Sequence, residues 1–183
     1  MRRCAAAAIY KGSRRRCARG CGAGCFIPER KMIHIILFRP EIHPNTGNIA
    51  RLCAANGLPL HIVGEPGFRI DDRSVRRAGL DYWPHVNLRR EADLQEVRAL
   101  LPESRFFYFS AHAERSYTDV RYQKGDCLIF GPETKGLSHE LLDENREYAL
   151  RIPMKTPHVR CLNLSSSVAI AAYEALRQLS FFP

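Results

Sequence analysis

The chain has 183 residues, 45% of them hydrophobic, which is the length of one ordinary domain with enough apolar content for a core. No apolar run approaches the roughly 20 residues that a membrane-crossing helix needs, so no membrane span is expected. The net charge of +9 invites a nucleic-acid partner, but residues 1–31 hold nine Lys and Arg against the single acid Glu29, so nearly all of the excess lies there.

Residues 1–31 combine Ala, Gly, Arg and Cys with no helical or strand period. The apolar stretch Ala5 to Ile9 is too short for a secretory signal, and Ser13 alone is too little serine for a transit peptide. We expect a disordered basic extension or a mis-assigned start, with a basic RNA-binding arm as the alternative. Cys4, Cys17, Cys21 and Cys25 form no Cys-x-x-Cys pair, and no metal site is expected. Cys53, Cys127 and Cys161 stand singly in apolar or helical settings, as reduced thiols of a cytoplasmic protein do.

The domain is expected over residues 32–183. Met32 to Phe38 is a continuous apolar run, the pattern of a strand buried on both faces. A turn through residues 39–44 leads to a helix over 45–56, ended by Gly57. Residues 60–63 predict a strand. Asp71 or Asp72 caps a short predicted helix over 73–78, and a strand is expected at 86–88. A helix over 91–101 and strands over 105–110 and 127–130 follow. The spacing then predicts a helix at 138–143, a strand at 148–152 and a last helix over 163–179 with Leu164, Val168, Ala171, Ala172, Ala175 and Leu176 on its apolar side. Such alternation implies an α/β domain with a mainly parallel sheet and helices on both faces. Ligands of such sheets bind beyond the carboxyl ends of the strands.

Three loops that follow strands carry the chemistry. The first, Pro44-Asn45-Thr46-Gly47-Asn48-Ile49-Ala50-Arg51, sets Asn45, Asn48 and Arg51 three apart on a helix. Its first N–H groups can hold an anion such as an RNA phosphate; a plain helix start with a solvated face is the alternative. The second, Gly131-Pro132-Glu133-Thr134-Lys135-Gly136-Leu137, has two glycines that allow close approach to a ligand. It is neither a Walker A loop nor Gly-x-Gly-x-x-Gly, which argues against a nucleotide-binding oxidoreductase. Glu133 is either a functional acceptor or a brace for the loop backbone. The third, Arg160-Cys161-Leu162-Asn163-Leu164-Ser165-Ser166-Ser167, follows the strand end Arg151-Ile152-Pro153-Met154 and by itself reads as a helix cap.

In this order and spacing the three motifs resemble the SPOUT superfamily of RNA methyltransferases, in particular its small TrmL-type (YibK-like) tRNA 2'-O-methyltransferases. The resemblance runs from Met32 almost to Pro183 and includes Arg76-Arg77-Ala78-Gly79-Leu80-Asp81-Tyr82. It implies an α/β fold with a C-terminal trefoil knot, S-adenosylmethionine as methyl donor, a homodimer with sites at the subunit interface, and tRNA as substrate. It further implies methylation of the wobble-nucleotide ribose; another tRNA position, rRNA, or a non-catalytic RNA-binding module are the alternatives. Carried over by motif, Phe109, Gly131, Ile152, Cys161 and Leu162 would surround the cofactor. Arg51, Asn45, Glu133, Asn163 and Ser165 would form the catalytic set. Arg73, Arg76 and Arg77 would grip RNA phosphates. The family usually has Ser or another small residue where Cys161 stands, a harmless change if the backbone makes the contact.

Overall fold

The computed structural model describes residues 32–68, 82–156 and 158–181. Seven strands form one sheet in the order β3-β2-β1-β6-β4-β7-β5, and every pair in it is parallel. The strands are β1 (His34–Phe38), β2 (Leu60–Val63), β3 (Leu88–Glu91), β4 (Phe106–Phe109), β5 (Arg115–Ser116), β6 (Cys127–Phe130) and β7 (Ala149–Arg151). The helices are α1 (His43–Asn56), α2 (Leu94–Leu100), α3 (His139–Glu144) and α4 (Leu164–Gln178).

Helices cover both faces, as a parallel sheet requires. On one face, Ile35, Leu37, Leu60, Phe107 and Leu128 pack against Ile49, Ala50 and Cys53 of α1 and Val168, Ala171, Ala172 and Leu176 of α4. On the other, Ile36, Val63, Tyr108 and Ile129 meet Val97 of α2 and Leu142 of α3. Alternate residues of one strand thus serve opposite cores, which is why the central strands read as unbroken apolar runs.

The boundaries shift where local chemistry differs from the expected period. The strand expected at 86–88 is Leu88–Glu91, so the next helix begins at Leu94 rather than 91. Asp93 caps it by accepting from the Glu96 N–H at 2.9 Å, while the Glu96 carboxylate takes the Ala92 N–H at 2.8 Å. Helix α1 begins two residues early, with Pro44 in its first turn, where the missing N–H costs nothing. Strand β5 was not expected; two residues at a sheet edge leave no periodic signal. The helix expected over 73–78 and all of residues 1–31 lie outside the described residues.

Sheet order fixes where the loops meet. From β1 the chain runs outward through β2 to β3, then crosses to the other side, with β6 returning to lie beside β1. The loops after β1 and β6 therefore leave neighbouring strand ends in opposite directions, the crevice where open α/β sheets bind ligands.

Candidate active site

The start of α1 has no side-chain cap of its own, because its N-cap position is Ile42. Glu133, from the loop after β6, supplies the missing acceptor. Its carboxylate receives the Glu41 N–H at 2.8 Å, the Ile42 N–H at 3.2 Å and the Asn45 side-chain amide at 3.1 Å. A carboxylate at a helix N-terminus is favoured by the orphan N–H groups and by the helix dipole. The chain's own Glu133 is thus the anion that meets the turn entering α1. Of the two roles open to Glu133, the geometry gives it a brace, directed at the 41–45 turn.

Asn45 is buried and passes the connection on. Its Oδ1 accepts from the Asn163 side-chain amide at 3.0 Å. Asn163 caps α4: its own Oδ1 accepts from the Ser165 N–H at 2.9 Å, the Ser165 hydroxyl at 2.7 Å and the Ser166 N–H at 3.4 Å. Glu133, Asn45, Asn163 and Ser165 therefore form one hydrogen-bonded line that ties together the loops after β1, β6 and β7.

Arg51, two turns into α1, is exposed. Its guanidinium lies 4.9 Å from the centre of the Tyr82 ring, and the Tyr82 hydroxyl donates to the Gly47 carbonyl at 3.0 Å. Tyr82 thus supports the helix and its arginine together. No spacing rule singled Tyr82 out.

The expected cofactor residues sit at adjacent strand ends. Phe109, at the end of β4, stacks on Phe130, at the end of β6, with ring centres 4.7 Å apart. Gly131 follows β6, and Ile152 follows β7. Cys161 is exposed and Leu162 half-buried in the loop before α4. A cavity of about 410 Å³ opens there, lined by Ala111, Arg151, Ile152, Pro153, Met154, Lys155, Thr156 and Val159. Of the five expected residues Ile152 lines it; Phe109, Gly131, Cys161 and Leu162 stand on neighbouring segments. The two cations Arg151 and Lys155 were missed, because nothing in a strand-end sequence says which side chains face a cavity.

Gly131 packs against its own loop. A Cβ there would come within 2.5 Å of the backbone of Gly136 and Leu137, so the close approach it permits is to its own loop. Arg73, Arg76 and Arg77 lie outside the described residues. Among the described residues no group of three or more His, Cys, Asp or Glu is placed to hold a metal ion, and no helix is long and apolar enough to cross a membrane.

A model of the SpoU rRNA Methylase family matches residues 32–173. The tRNA (cytidine(34)-2'-O)-methyltransferase of Escherichia coli strain K12 is 44% identical over 151 residues, spanning 82% of this chain and 96% of its own. A solved structure concerned with 2-OH methylation of C/U34 on tRNA superposes with a TM-score of 0.75 at 47% identity, covering 84% of this chain and 99% of its own. An AdoMet-bound rRNA methyltransferase from Sinorhizobium meliloti gives a TM-score of 0.70 at 25% identity, covering 83% and 58% respectively.

Proposed function

The chain belongs to the SpoU rRNA Methylase family, and on that premise we propose that it methylates the ribose 2'-hydroxyl of the wobble nucleotide in tRNA anticodon loops, with S-adenosylmethionine as donor. The similarity to relatives acting at cytidine 34 supports the substrate, since it extends over nearly their whole length. The observation that carries the site is the line from Glu133 through Asn45 and Asn163 to Ser165, which assembles three loops at the β1/β6 crevice.

The residues present fit the cofactor. A cavity of about 410 Å³ is within the range of small-molecule sites, and its lining joins the apolar Ile152, Pro153, Met154 and Val159 to the polar Arg151, Lys155 and Thr156. Phe109, Gly131, Cys161 and Leu162 would complete the surroundings through the same strand ends and loop. When bound, S-adenosylmethionine supplies an electrophilic methyl group.

The 2'-hydroxyl is a poor nucleophile at neutral pH, so the protein must align it and favour loss of its proton. A guanidinium does not readily give up a proton, so Arg51 serves as a cation, holding a phosphate and stabilising negative charge that develops on the ribose oxygen. Asn163 and Ser165 orient the hydroxyl, and Glu133 and Asn45 keep those groups in place. Arg73, Arg76 and Arg77 would add phosphate contacts. A single-stranded anticodon loop can present its nucleotide to such a site.

The same reading includes the trefoil knot, a cytoplasmic location and a homodimer. Helix α4 leaves Ile170 36% and Tyr173 47% exposed, an apolar surface suited to a second copy. Sedimentation of the purified chain tests this, and a monomer at micromolar concentration would contradict it.

The test of function is methyl transfer from labelled S-adenosylmethionine onto bulk tRNA and, separately, rRNA, with the modified nucleoside then mapped. We expect label at position 34 of tRNA. Arg51→Ala should abolish transfer and retain cofactor affinity by calorimetry. Transfer to rRNA alone would change the substrate, and retained activity in Arg51→Ala would remove its assigned role.

A further inference from the structure

Glu41, in the turn after β1, has no part in the mechanism above. Its carboxylate crosses to the loop after β6, where it accepts from the Thr134 N–H at 3.0 Å and from the Thr134 hydroxyl at 2.7 and 3.0 Å. Glu133 reaches the opposite way, to the N–H groups of Glu41 and Ile42. Each loop therefore lends the other one glutamate. On its far side the same turn is backed by Gly67, whose N–H donates to the Pro40 carbonyl at 2.9 Å. A Cβ at Gly67 would lie 3.2 Å from the Glu41 Cα. The turn is thus held from two sides.

The exchange gives each carboxylate its own donors, although the two acids belong to touching loops. Thr134 serves Glu41, and the start of α1 serves Glu133. The Thr134 hydrogen bonds, with a smaller contribution from the charge of Lys135, hold the Glu41 carboxyl below its usual range.

We propose that Glu41 is a positioning residue for methyl transfer, acting through Thr134 and Glu133 on the Asn45–Asn163 pair. The proposal rests on the methyltransferase reading above. Anchoring the Thr134 N–H fixes the backbone from which the Glu133 side chain projects. Glu133 holds Asn45, Asn45 holds Asn163, and Asn163 holds Ser165. Glu41 and Thr134 are both exposed and belong to neither apolar cluster, so their contact governs the relation of two loops rather than the stability of the fold. Small misplacements at a reacting centre are costly: about 1 Å is enough to lose roughly 100-fold in rate.

The test compares the full-length wild type with Glu41→Ala, Thr134→Val, their double variant and Thr134→Ser. The readouts are kcat and KM for tRNA, cofactor Kd, Tm, and hydrogen exchange at the amides of residues 41 and 42. We expect Glu41→Ala to lower kcat about tenfold and Thr134→Val, which keeps its backbone N–H on Glu41, to lower it less, with KM and cofactor Kd within about twofold in both, because alignment and not binding is lost. Exchange at residues 41 and 42 should quicken with Tm unchanged. The double variant should be no worse than Glu41→Ala alone, and Thr134→Ser should keep the wild-type rate. Wild-type kcat in both single variants, or losses that multiply in the double, would overturn the proposal, as would a rate that falls only in step with Tm. A wild type that methylates neither tRNA nor rRNA would overturn the methyltransferase reading, and this role with it.

Discussion

Asn163 donates its side-chain amide to the Oδ1 of Asn45 over 3.0 Å, joining positions 118 residues apart. Its other side-chain atom, Oδ1, caps α4. The two duties are separable. Asp caps a helix as well as Asn does but has no amide to donate. Asn45 cannot turn to compensate, since its own amide is committed to Glu133. Asn163→Asp should therefore keep Tm within a few degrees, because the cap and its roughly 1 kcal/mol survive. Methyl transfer should fall at least about tenfold through misalignment. Thermal melts and single-turnover transfer measured on the same preparation check both halves.

Tyr82 supports Arg51 through its ring and Gly47 through its hydroxyl. An exposed cation–π contact is worth about 0.5–1 kcal/mol, so losing the ring should lower kcat/KM roughly two- to fivefold. Tyr82→Leu tests this, while Tyr82→Phe retains the ring and should lose less. Equal losses in the two variants would assign the effect to the hydroxyl.

Gly131→Ala should disrupt the loop after β6. The added Cβ meets backbone rather than a flexible side chain, so the loop must shift. Overpacking of this kind costs about 1–3 kcal/mol. Denaturant melts should show that loss, and cofactor affinity should fall with it, because Gly131 adjoins the strand end at Phe130. An unchanged melt would contradict the packing argument.

Burial pushes the thiols of Cys53 and Cys127 up to about 12, whereas Cys161 is exposed. Maleimide labelling of the native protein, mapped by peptide, should mark Cys161 and spare Cys53 and Cys127. S-adenosylmethionine should slow the labelling of Cys161. The same burial gives a pH dependence. Unfolded thiols ionise at about 8.5, whereas the two buried ones keep their protons to about 12. Above about 8.5 the folded state therefore binds more protons than the unfolded state, and stability falls as pH rises. Urea melts at pH 7 and pH 10 should show the decrease, and it should shrink in Cys53→Ala when compared with that variant's own stability at pH 7.

The amino-acid sequence by itself marked all four described helices and every described strand but β5, and it singled out the three loops as site candidates. Apolar runs such as residues 127–130 mark strands buried on both faces, Gly57 ends α1 in a left-handed conformation at φ 63°, and Asn163 announces the start of α4. These signals are local: they arise from side-chain period, backbone freedom or capping within a few residues. Tertiary structure alone decided that β6 lies beside β1, and so that Glu133 caps a helix it does not precede. It alone paired Glu41 with Thr134 and set Tyr82 under Arg51. Such contacts join groups distant along the chain, and a side chain carries no mark of which distant loop the packing of a sheet will bring to it.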